Sequence, residues 1–170
     1  MAASHAESGP NLAGIPPTKA TVAPPTSPVR VQLVIPRYVL TSDERDMVAA
    51  CLVLEAASQG DLGLRGVMSV IRNRSRALPE LFAPTVLRPK QFSALNRFTS
   101  GQEAWAQTLQ RAQRDPTWRR AVAIVDEAAR LDAWHDPTGG ATHFTRTDER
   151  VYWTRRLAQT VTLGAHSFYR

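Results

Sequence analysis

Cysteine is almost absent from this sequence of 170 residues, since Cys51 is the only one. A single cysteine excludes an intrachain disulfide and a metal site built from several thiolates. The sequence shows no uninterrupted apolar run of the eighteen or so residues that cross a bilayer, so we expect no membrane span. The first thirty residues lack the charged start and apolar stretch of a secretory signal, and we expect no signal peptide. Stability must then come from packing.

Charge is moderate in amount and uneven in distribution. Hydrophobic residues make up 43% and charged residues 21% of the chain, which is typical of a largely globular protein with one domain. The stretch 62–99 contains seven basic residues and only one acidic residue, Glu80, and so carries a charge equal to the +6 of the whole chain. This pattern favours an anionic partner, which could be nucleic acid, a membrane surface or an acidic wall polymer. A solvated basic helix face is the alternative.

Proline is concentrated at the N-terminus. The first 36 residues hold seven of the 12 prolines and only three charged residues. Such a segment cannot bury enough apolar surface to offset the entropy lost on ordering. We therefore predict two parts: a flexible or docking arm over residues 1–37 and a folded domain over residues 38–170.

The first helix of the domain is predicted to begin after Thr41, because Thr41–Glu44 has the spacing of a capping box. Four residues then follow helical spacing on the stripe that faces the core: Val48, Cys51, Leu52 and Glu55. A glutamate among aliphatic neighbours is desolvated, which raises its pKa and suits a general acid. Alternatively, Glu55 is a half-exposed residue at a helix end, paired with Arg65 or Arg74.

The remaining patterns predict an α+β domain, mainly helical, with a small β element near the C-terminus. The first helix should end at Gly60, and a second helix should begin after Asp61 and stop before Pro79. A short helical turn and a loop follow over 80–100, and then helices over 102–113 and from 115 to about 133. The last predicted elements are a turn over 136–140 and strands over 160–163 and 166–169.

The histidines provide a different candidate site. His135, His143 and His166 could form a hydrolytic zinc site together with Asp136. Their spacing matches no metal motif, and a histidine beside a turn is more often a hydrogen-bond partner. We therefore predict no metal and no cofactor.

Aromatic residues are frequent at the C-terminus. Six of them lie in the last 37 residues: Trp134, Phe144, Tyr152, Trp153, Phe168 and Tyr169. Aromatic faces stack on sugar rings as readily as they pack in a core, so this cluster fits either a saccharide groove or a hydrophobic core.

Five parts of the domain together match a known family pattern. They are Leu54–Ala56 with Gly63, Val67–Arg74, Gln91–Ser93, Asp136–Phe144 and Leu163–Tyr169. In this order they resemble the cell wall hydrolase family of the spore-cortex lytic enzyme SleB, over roughly Met47 to Tyr169. The resemblance implies a compact lysozyme-like fold. It also implies cleavage of peptidoglycan between N-acetylmuramic acid and N-acetylglucosamine, by a lytic transglycosylase or a muramidase, with Glu55 as the catalytic residue.

The resemblance also suggests which residues contact substrate, and it shows where this chain departs from the family. The candidate groove residues are Gln59, Gln91, Ser93, Thr142, His143 and Tyr169. The family usually continues Ala-Arg-Gly-Glu after its glutamate, whereas this chain has Ala56–Gln59 with an amide at the end. The aromatic residue after Gln-Phe-Ser is replaced by Ala94, and Phe144 is followed by Thr145 instead of asparagine. A second interpretation is therefore a catalytically impaired wall-binding or structural virion protein.

The biological setting is inferred from the same features. A proline-rich arm in front of a wall hydrolase, without a signal peptide, suits a phage lysin or a virion-associated lysin. The expected partners are peptidoglycan and, through the arm, a virion or tail protein. We expect the protein in the virion or the host cytoplasm. Nucleic-acid binding is a third hypothesis that no recognition motif supports.

Overall fold

The structure, a computed structural model, describes residues 38–130 and 134–170. The predicted arm over residues 1–37 lies outside the described residues, so its boundary with the domain stays a prediction. The described part contains six α-helices: α1 Ser42–Ala56, α2 Gly60–Arg74, α3 Phe82–Val86, α4 Asn96–Thr99, α5 Trp105–Gln113 and α6 Trp118–Ala128. Short 3-10 turns occupy Ala57–Gln59, Pro79–Leu81, Ser93–Leu95 and Tyr152–Arg155.

A small antiparallel sheet follows the helices. Its strands are β1 His143–Arg146, β2 Gln159–Leu163 and β3 His166–Tyr169, in the order β1-β3-β2. His143 pairs with Tyr169 in the β1–β3 register, and a bulge interrupts the β2–β3 register near residue 160. The prediction of a mainly helical α+β domain with a small C-terminal β element is confirmed. Strand β1 was not predicted.

Helix α1 begins as the sequence predicted and is more deeply buried than predicted. The Thr41 hydroxyl accepts a hydrogen bond from the Glu44 amide, and the Glu44 carboxylate accepts one from the Thr41 amide. The predicted single apolar stripe is too narrow, because Ala49 and Val53 on other faces are also buried. The helix packs against α2, α3, α5 and α6. A helix that is apolar all round is the central helix of a core.

By length and composition, the helical stretch Ser42–Arg74 could also cross a membrane, contrary to the sequence-based expectation. This stretch of 33 residues contains α1 and α2, separated by the turn Ala57–Gln59, and half of its most apolar part is buried within the protein. The core helices of a folded domain have the same composition. Leu52 in α1 and Met68 in α2, for example, are both fully buried in the main core.

The apolar contact between the sheet and α2 is centred on one aromatic side chain. Phe168 on β3 is fully buried and forms a small second core with Val70 and Ala141. Gly66 on α2 leaves space for this ring, because a Cβ atom there would lie 2.5 Å from Phe168 Cζ. This contact brings the sheet against the helix that follows Glu55.

The later helices are shorter than predicted at their ends. Helix α6 starts at Trp118 instead of residue 115, because the Asp115 carboxylate accepts hydrogen bonds from the Thr117 amide and hydroxyl and closes a turn first. It ends at Ala128 rather than near residue 133, and residues 131–133 lie outside the described part. Helix α5 begins at Trp105 rather than residue 102.

Candidate active site

Glu55 lies in the last turn of α1. Its carboxylate is held by Ser93 and Ala94, in the short 3-10 turn that precedes α4. The Ala94 amide donates a hydrogen bond to Oε1 over 2.8 Å. The Ser93 hydroxyl lies 3.2 Å from Oε1 and 3.4 Å from Oε2. A charge-assisted pair of this kind fixes the orientation of the carboxyl group.

Burial sets the protonation of this carboxyl group. Burial raises the pKa of Glu55, whereas the hydrogen bonds from Ala94 and Ser93 and the positive charge of Arg74 lower it. Burial outweighs these effects, so the pKa of Glu55 lies above the ordinary glutamate value. A larger fraction of Glu55 therefore retains its proton near neutral pH than for a solvated glutamate. A partly exposed acid of this kind can act as a general acid and then as a base.

Two grooves share Glu55. The first has a volume of about 460 Å³, and Glu55 lies in its wall together with residues from the 90–93 segment and the C-terminal part of the chain. Its lining residues are Glu55, Arg74, Lys90, Gln91, Phe92, Ser93, His143, Phe144, Thr145, Glu149, Val151, Tyr152 and Trp153. We call it the aromatic groove.

The second groove, of about 450 Å³, lies between the end of α1 and the turn before α6. Glu55 lines it as well, with Leu54, Ser58 and the turn residues Asp115 to Thr117. We call it the turn groove. Glu55 therefore contributes to the linings of both grooves, and its carboxylate contacts Ser93 of the aromatic groove.

Arg74 connects the parts of the aromatic groove. Its Nε donates to the Thr142 carbonyl over 2.6 Å, and its Nη1 donates to the Gln91 carbonyl over 3.2 Å. The guanidinium also lies 5.1 Å from the centre of the Phe92 ring. The structure does not show the alternative ion pair between Glu55 and Arg74, because Arg74 donates its hydrogen bonds to carbonyl groups. Its charge nevertheless favours the ionised form of Glu55.

Three of the predicted substrate residues lie in the aromatic groove: Gln91, Ser93 and His143. Ser93 contacts Glu55 directly. The His143 ring lies 5.3 Å from the Trp153 ring, and its Nδ1 is 3.0 Å from the Thr142 hydroxyl. Burial and then the charge of Arg74 lower the pKa of His143, which favours the neutral imidazole.

The other three predicted substrate residues lie outside the linings of both grooves. Gln59 instead accepts a hydrogen bond from the Ala165 amide over 2.7 Å and so holds the β2–β3 turn. Thr142 contributes its carbonyl to Arg74, and Tyr169 packs edge-on against Trp153. All three residues make these contacts within the domain, and their contact with substrate stays a prediction.

The histidines are not brought together as a metal site. Within residues 38–130 and 134–170, no group of three His, Cys, Asp or Glu side chains could hold a metal ion. His143 and His166 lie at opposite ends of the β1–β3 pairing, where they face Tyr169 and Arg146 respectively. Asp136 is used in the turn, where it accepts hydrogen bonds from Thr138 and Gly140.

The three arginines that α2 contributes to the basic stretch 62–99 have partners within the domain. Arg65 makes a bidentate pair with Glu127, at 2.6 and 2.9 Å. Arg72 donates to the Ala128 carbonyl over 3.1 Å, and Arg74 lies in the aromatic groove. These arginines of α2 act within the domain, so the basic helix gives no support to nucleic-acid binding.

Sequence reasoning missed several residues of the site. The Ala94 amide is invisible in a sequence, since every residue has one. Glu149, Tyr152 and Trp153 line the aromatic groove, and only the excess of aromatic residues near the C-terminus pointed towards them. The Asp115–Thr117 turn was interpreted as the start of a helix.

Comparisons with known proteins identify the family and the fold. The model of a family described as Cell Wall Hydrolase matches residues 58–169, a range that begins just after Glu55. The catalytic domain of the germination-specific lytic transglycosylase SleB from Bacillus anthracis is 22% identical, with a TM-score of 0.56, over 77% of this chain and 97% of that one. The catalytic domain of SleB from Bacillus cereus is 23% identical, with a TM-score of 0.55, over 76% and 91%. No curated protein sequence matches the chain.

The two SleB domains confirm the predicted fold, and the family match covers more than half of the chain. The resemblance inferred from the sequence motifs is therefore confirmed. This chain belongs to the cell wall hydrolase family.

Proposed function

We propose that this protein cleaves the glycan strand of peptidoglycan between N-acetylmuramic acid and N-acetylglucosamine, with Glu55 as the only acid–base catalyst. The observation that carries the proposal is the position of Glu55. Its carboxyl group is partly buried and has a raised pKa, and Glu55 belongs to the linings of both grooves. A glycan strand that passes through both grooves would present a glycosidic bond to this acid.

The reaction follows from one carboxyl group that acts twice. Glu55 donates its proton to the glycosidic oxygen, and the bond between this oxygen and C1 of the muramyl residue breaks. The 2-acetamido group of the same sugar stabilises the positive charge that develops at C1, as in substrate-assisted glycosidases. The Glu55 carboxylate then accepts the proton of the C6 hydroxyl as this oxygen attacks C1 and closes a 1,6-anhydro ring. When water attacks instead, the product is an ordinary reducing end.

The hydrogen bonds to Glu55 suit both halves of this cycle. The donors at Ser93 and Ala94 stabilise the carboxylate that forms after proton transfer, and burial favours the acid that precedes it. The two opposing effects leave the pKa of Glu55 above the ordinary glutamate value but below the value that burial alone would give. A catalytic acid that must be regenerated as a base benefits from this balance.

The test is Glu55→Gln, assayed by the release of soluble muropeptides from purified sacculi. General acid–base catalysis contributes about 10²–10⁴-fold, so we expect a loss of at least this size. Glu80→Gln, an exposed glutamate outside both grooves, is the matched control and should retain full activity. Undiminished release by Glu55→Gln would contradict the proposal. No release by the native protein, together with binding to sacculi, would instead favour an impaired wall-binding module.

Mass spectrometry of the same digests distinguishes the two reaction types. Anhydro-muramyl ends identify a lytic transglycosylase, and reducing muramic acid ends identify a muramidase. We propose transglycosylation, because the SleB domain from Bacillus anthracis that this chain resembles is a lytic transglycosylase. A predominance of reducing ends would contradict this choice.

The proposed setting is a phage lysin or a virion-associated lysin, with residues 1–37 as an arm that docks to a virion or tail protein. The proline content of this arm supports the idea. Proteomic analysis of purified particles and of the lysing host distinguishes the two locations. Absence of the protein from both would contradict the setting without affecting the proposed activity.

A further inference from the structure

The segment Glu149–Trp153 contributes an acid and two aromatic side chains to the aromatic groove, and the proposed reaction uses none of them. Glu149, Tyr152 and Trp153 all line this groove. They follow strand β1, on a part of the chain far in sequence from Glu55. Their combination of acceptor and ring faces is the chemistry that binds sugars.

Glu149 presents an acceptor that is only partly used. The Thr145 hydroxyl donates to its Oε2 over 3.0 Å. The nearby Arg146 guanidinium pairs with Asp148 at 2.9 Å rather than with Glu149. An ionised carboxylate has about four acceptor positions, so Glu149 keeps most of them for a ligand in the groove. Thr145 is itself buried, which fixes the orientation of the carboxylate.

The two aromatic side chains differ in how they are held. Trp153 packs against His143 and meets the Tyr169 ring edge-on at 5.4 Å, so its position is fixed before any ligand binds. Tyr152 is 77% exposed although it borders the groove. An exposed aromatic ring at the edge of a groove gains apolar contact only when a ligand covers it.

The backbone of this segment is also fixed. Both the amide and the hydroxyl of Thr154 donate to the Val151 carbonyl, at 3.1 and 2.8 Å. The Arg156 amide donates to the Trp153 carbonyl over 2.9 Å. A site that is rigid before binding loses less entropy when the ligand arrives.

The charges of the groove favour an uncharged ligand at this end. Arg74 and Lys90 contribute positive charge, whereas Glu55 and Glu149 contribute acidic groups. Neither a strong anion nor a strong cation would find a lining of the opposite sign. A neutral ring with several hydroxyl groups can donate to Glu149 and cover an aromatic face at the same time.

We propose that Glu149, Tyr152 and Trp153 form a saccharide subsite, in which an N-acetylhexosamine ring lies on Tyr152 beside Trp153 and one of its hydroxyl groups donates to Glu149. The proposal rests on the proposed function, since the sugar would belong to the same glycan strand. The three residues bind substrate and do not take part in bond cleavage.

The binding test uses the tetrasaccharide of N-acetylglucosamine and the full chain carrying Glu55→Gln, so that no cleavage occurs. Isothermal titration calorimetry compares this protein with Tyr152→Ala and Glu149→Gln added separately. We expect each to weaken binding about fivefold to tenfold, the size of one lost contact. Asp148→Asn and Tyr38→Ala are the matched controls, since one is the neighbouring carboxylate and the other an exposed aromatic outside the groove. Equal affinity in the groove variants and the controls would overturn the proposal.

A kinetic test in the active protein separates binding from chemistry. With soluble glycan strands as substrate, Tyr152→Ala and Glu149→Gln should raise KM about fivefold to tenfold and leave kcat within about twofold. A fall in kcat with unchanged KM would overturn the subsite by moving Glu149 to the reacting centre.

The two proposals fail differently. Full activity of Glu55→Gln would remove the proposed catalyst, and the KM comparison in the active protein would still report on the subsite. Cleavage by the native protein with unchanged KM and affinity in both groove variants would remove the subsite alone.

Discussion

The helical part and the C-terminal part of the domain are held together by different forces. The helices bury a large apolar core around α1, in which Val48, Leu52, Val67 and Met68 are completely inaccessible. The sheet has a much smaller apolar cluster, centred on Phe168. Apolar packing is non-directional and tolerates small shifts. Because the sheet makes few apolar contacts, other interactions must fix its position.

Hydrogen bonds supply those interactions for the C-terminal part. The Asp136 carboxylate accepts from Asn73 on α2 at 3.0 Å and from the Gly140 amide at 3.0 Å. Arg74 reaches the Thr142 carbonyl, and Gln59 reaches the Ala165 amide. The Asp136–Gly140 bond closes the turn, and the other three contacts join the region of α2 to the sheet or its approach.

The difference shows how the site is divided. The helical part contains Glu55, whose carboxyl group must stay desolvated. The C-terminal part contains His143, Glu149 and the aromatic residues of the groove, and their position depends on directional hydrogen bonds. Substitutions in the first part should change global stability, and substitutions in the second should change the groove with a smaller loss of stability.

The largest expected effect is that of Leu52→Ala in the centre of α1. Removal of a fully buried leucine side chain costs about 2–5 kcal/mol of unfolding free energy. Leu163→Ala in the sheet, where the side chain is only partly buried, should cost about 1 kcal/mol. Urea unfolding of both variants measures the contrast, and equal losses would show that the sheet depends on packing as much as the helices do.

A smaller effect is expected for Asp136→Asn, which tests the hydrogen-bonded attachment. Although burial raises the pKa of Asp136, its hydrogen bonds with Thr138, Asn73 and Gly140 outweigh this and lower the pKa below the ordinary value. The ionised form therefore stabilises the fold above about pH 4, and this contribution is lost as the pH falls through the lowered pKa. At neutral pH the variant should lose about 1–3 kcal/mol.

The pH dependence provides the control for this substitution. The difference in unfolding free energy between the native protein and Asp136→Asn should be greatest at neutral pH and shrink in acid, because a protonated Asp136 has also lost its charge-assisted bonds. Asp148→Asn, at an exposed ion pair, should change stability much less than Asp136→Asn. A difference for Asp136→Asn that stays constant with pH would contradict the role of its charge.

The smallest effect is expected for Ser93→Ala, which concerns the contact between Glu55 and the 93–94 segment. The Ser93 hydroxyl lowers the pKa of Glu55, so its removal should raise that pKa further. The alkaline limb of kcat/KM, where Glu55 loses its proton, should then move to higher pH. A pH profile on sacculi measures this shift, with Ser100→Ala, an exposed serine outside both grooves, as the control. A shift to lower pH would contradict the assignment of Glu55 as the acid.

Much of the local structure could be predicted, because the determining groups are neighbours in the sequence. Thr41 and Glu44 cap α1 as their spacing indicates. Asp136 organises the Gly139–Gly140 turn through donors within four residues. Glu55 was selected from its position beside apolar residues, and the structure gives it a raised pKa.

The errors came from features that no local pattern encodes. The residues of α1 were assigned one buried face, because a single helix does not reveal how many neighbours surround it. The hydrogen bond between Gln59 and the Ala165 amide was not predicted, because the two residues are 106 positions apart. Strand β1 was missed, since its pairing with β3 depends on a distant segment.

The sequence alone determined the helical capping, the turn chemistry, the family and the candidate acid, since short-range spacing and residue type are sufficient for these. Only the tertiary structure decided which backbone amide holds Glu55, that Glu55 belongs to the linings of two grooves, and that Glu149 and Tyr152 border one of them. The physical reason is that amides and groove walls arise from chain segments that packing and long-range hydrogen bonds bring together, and such contacts leave no periodic pattern in the sequence.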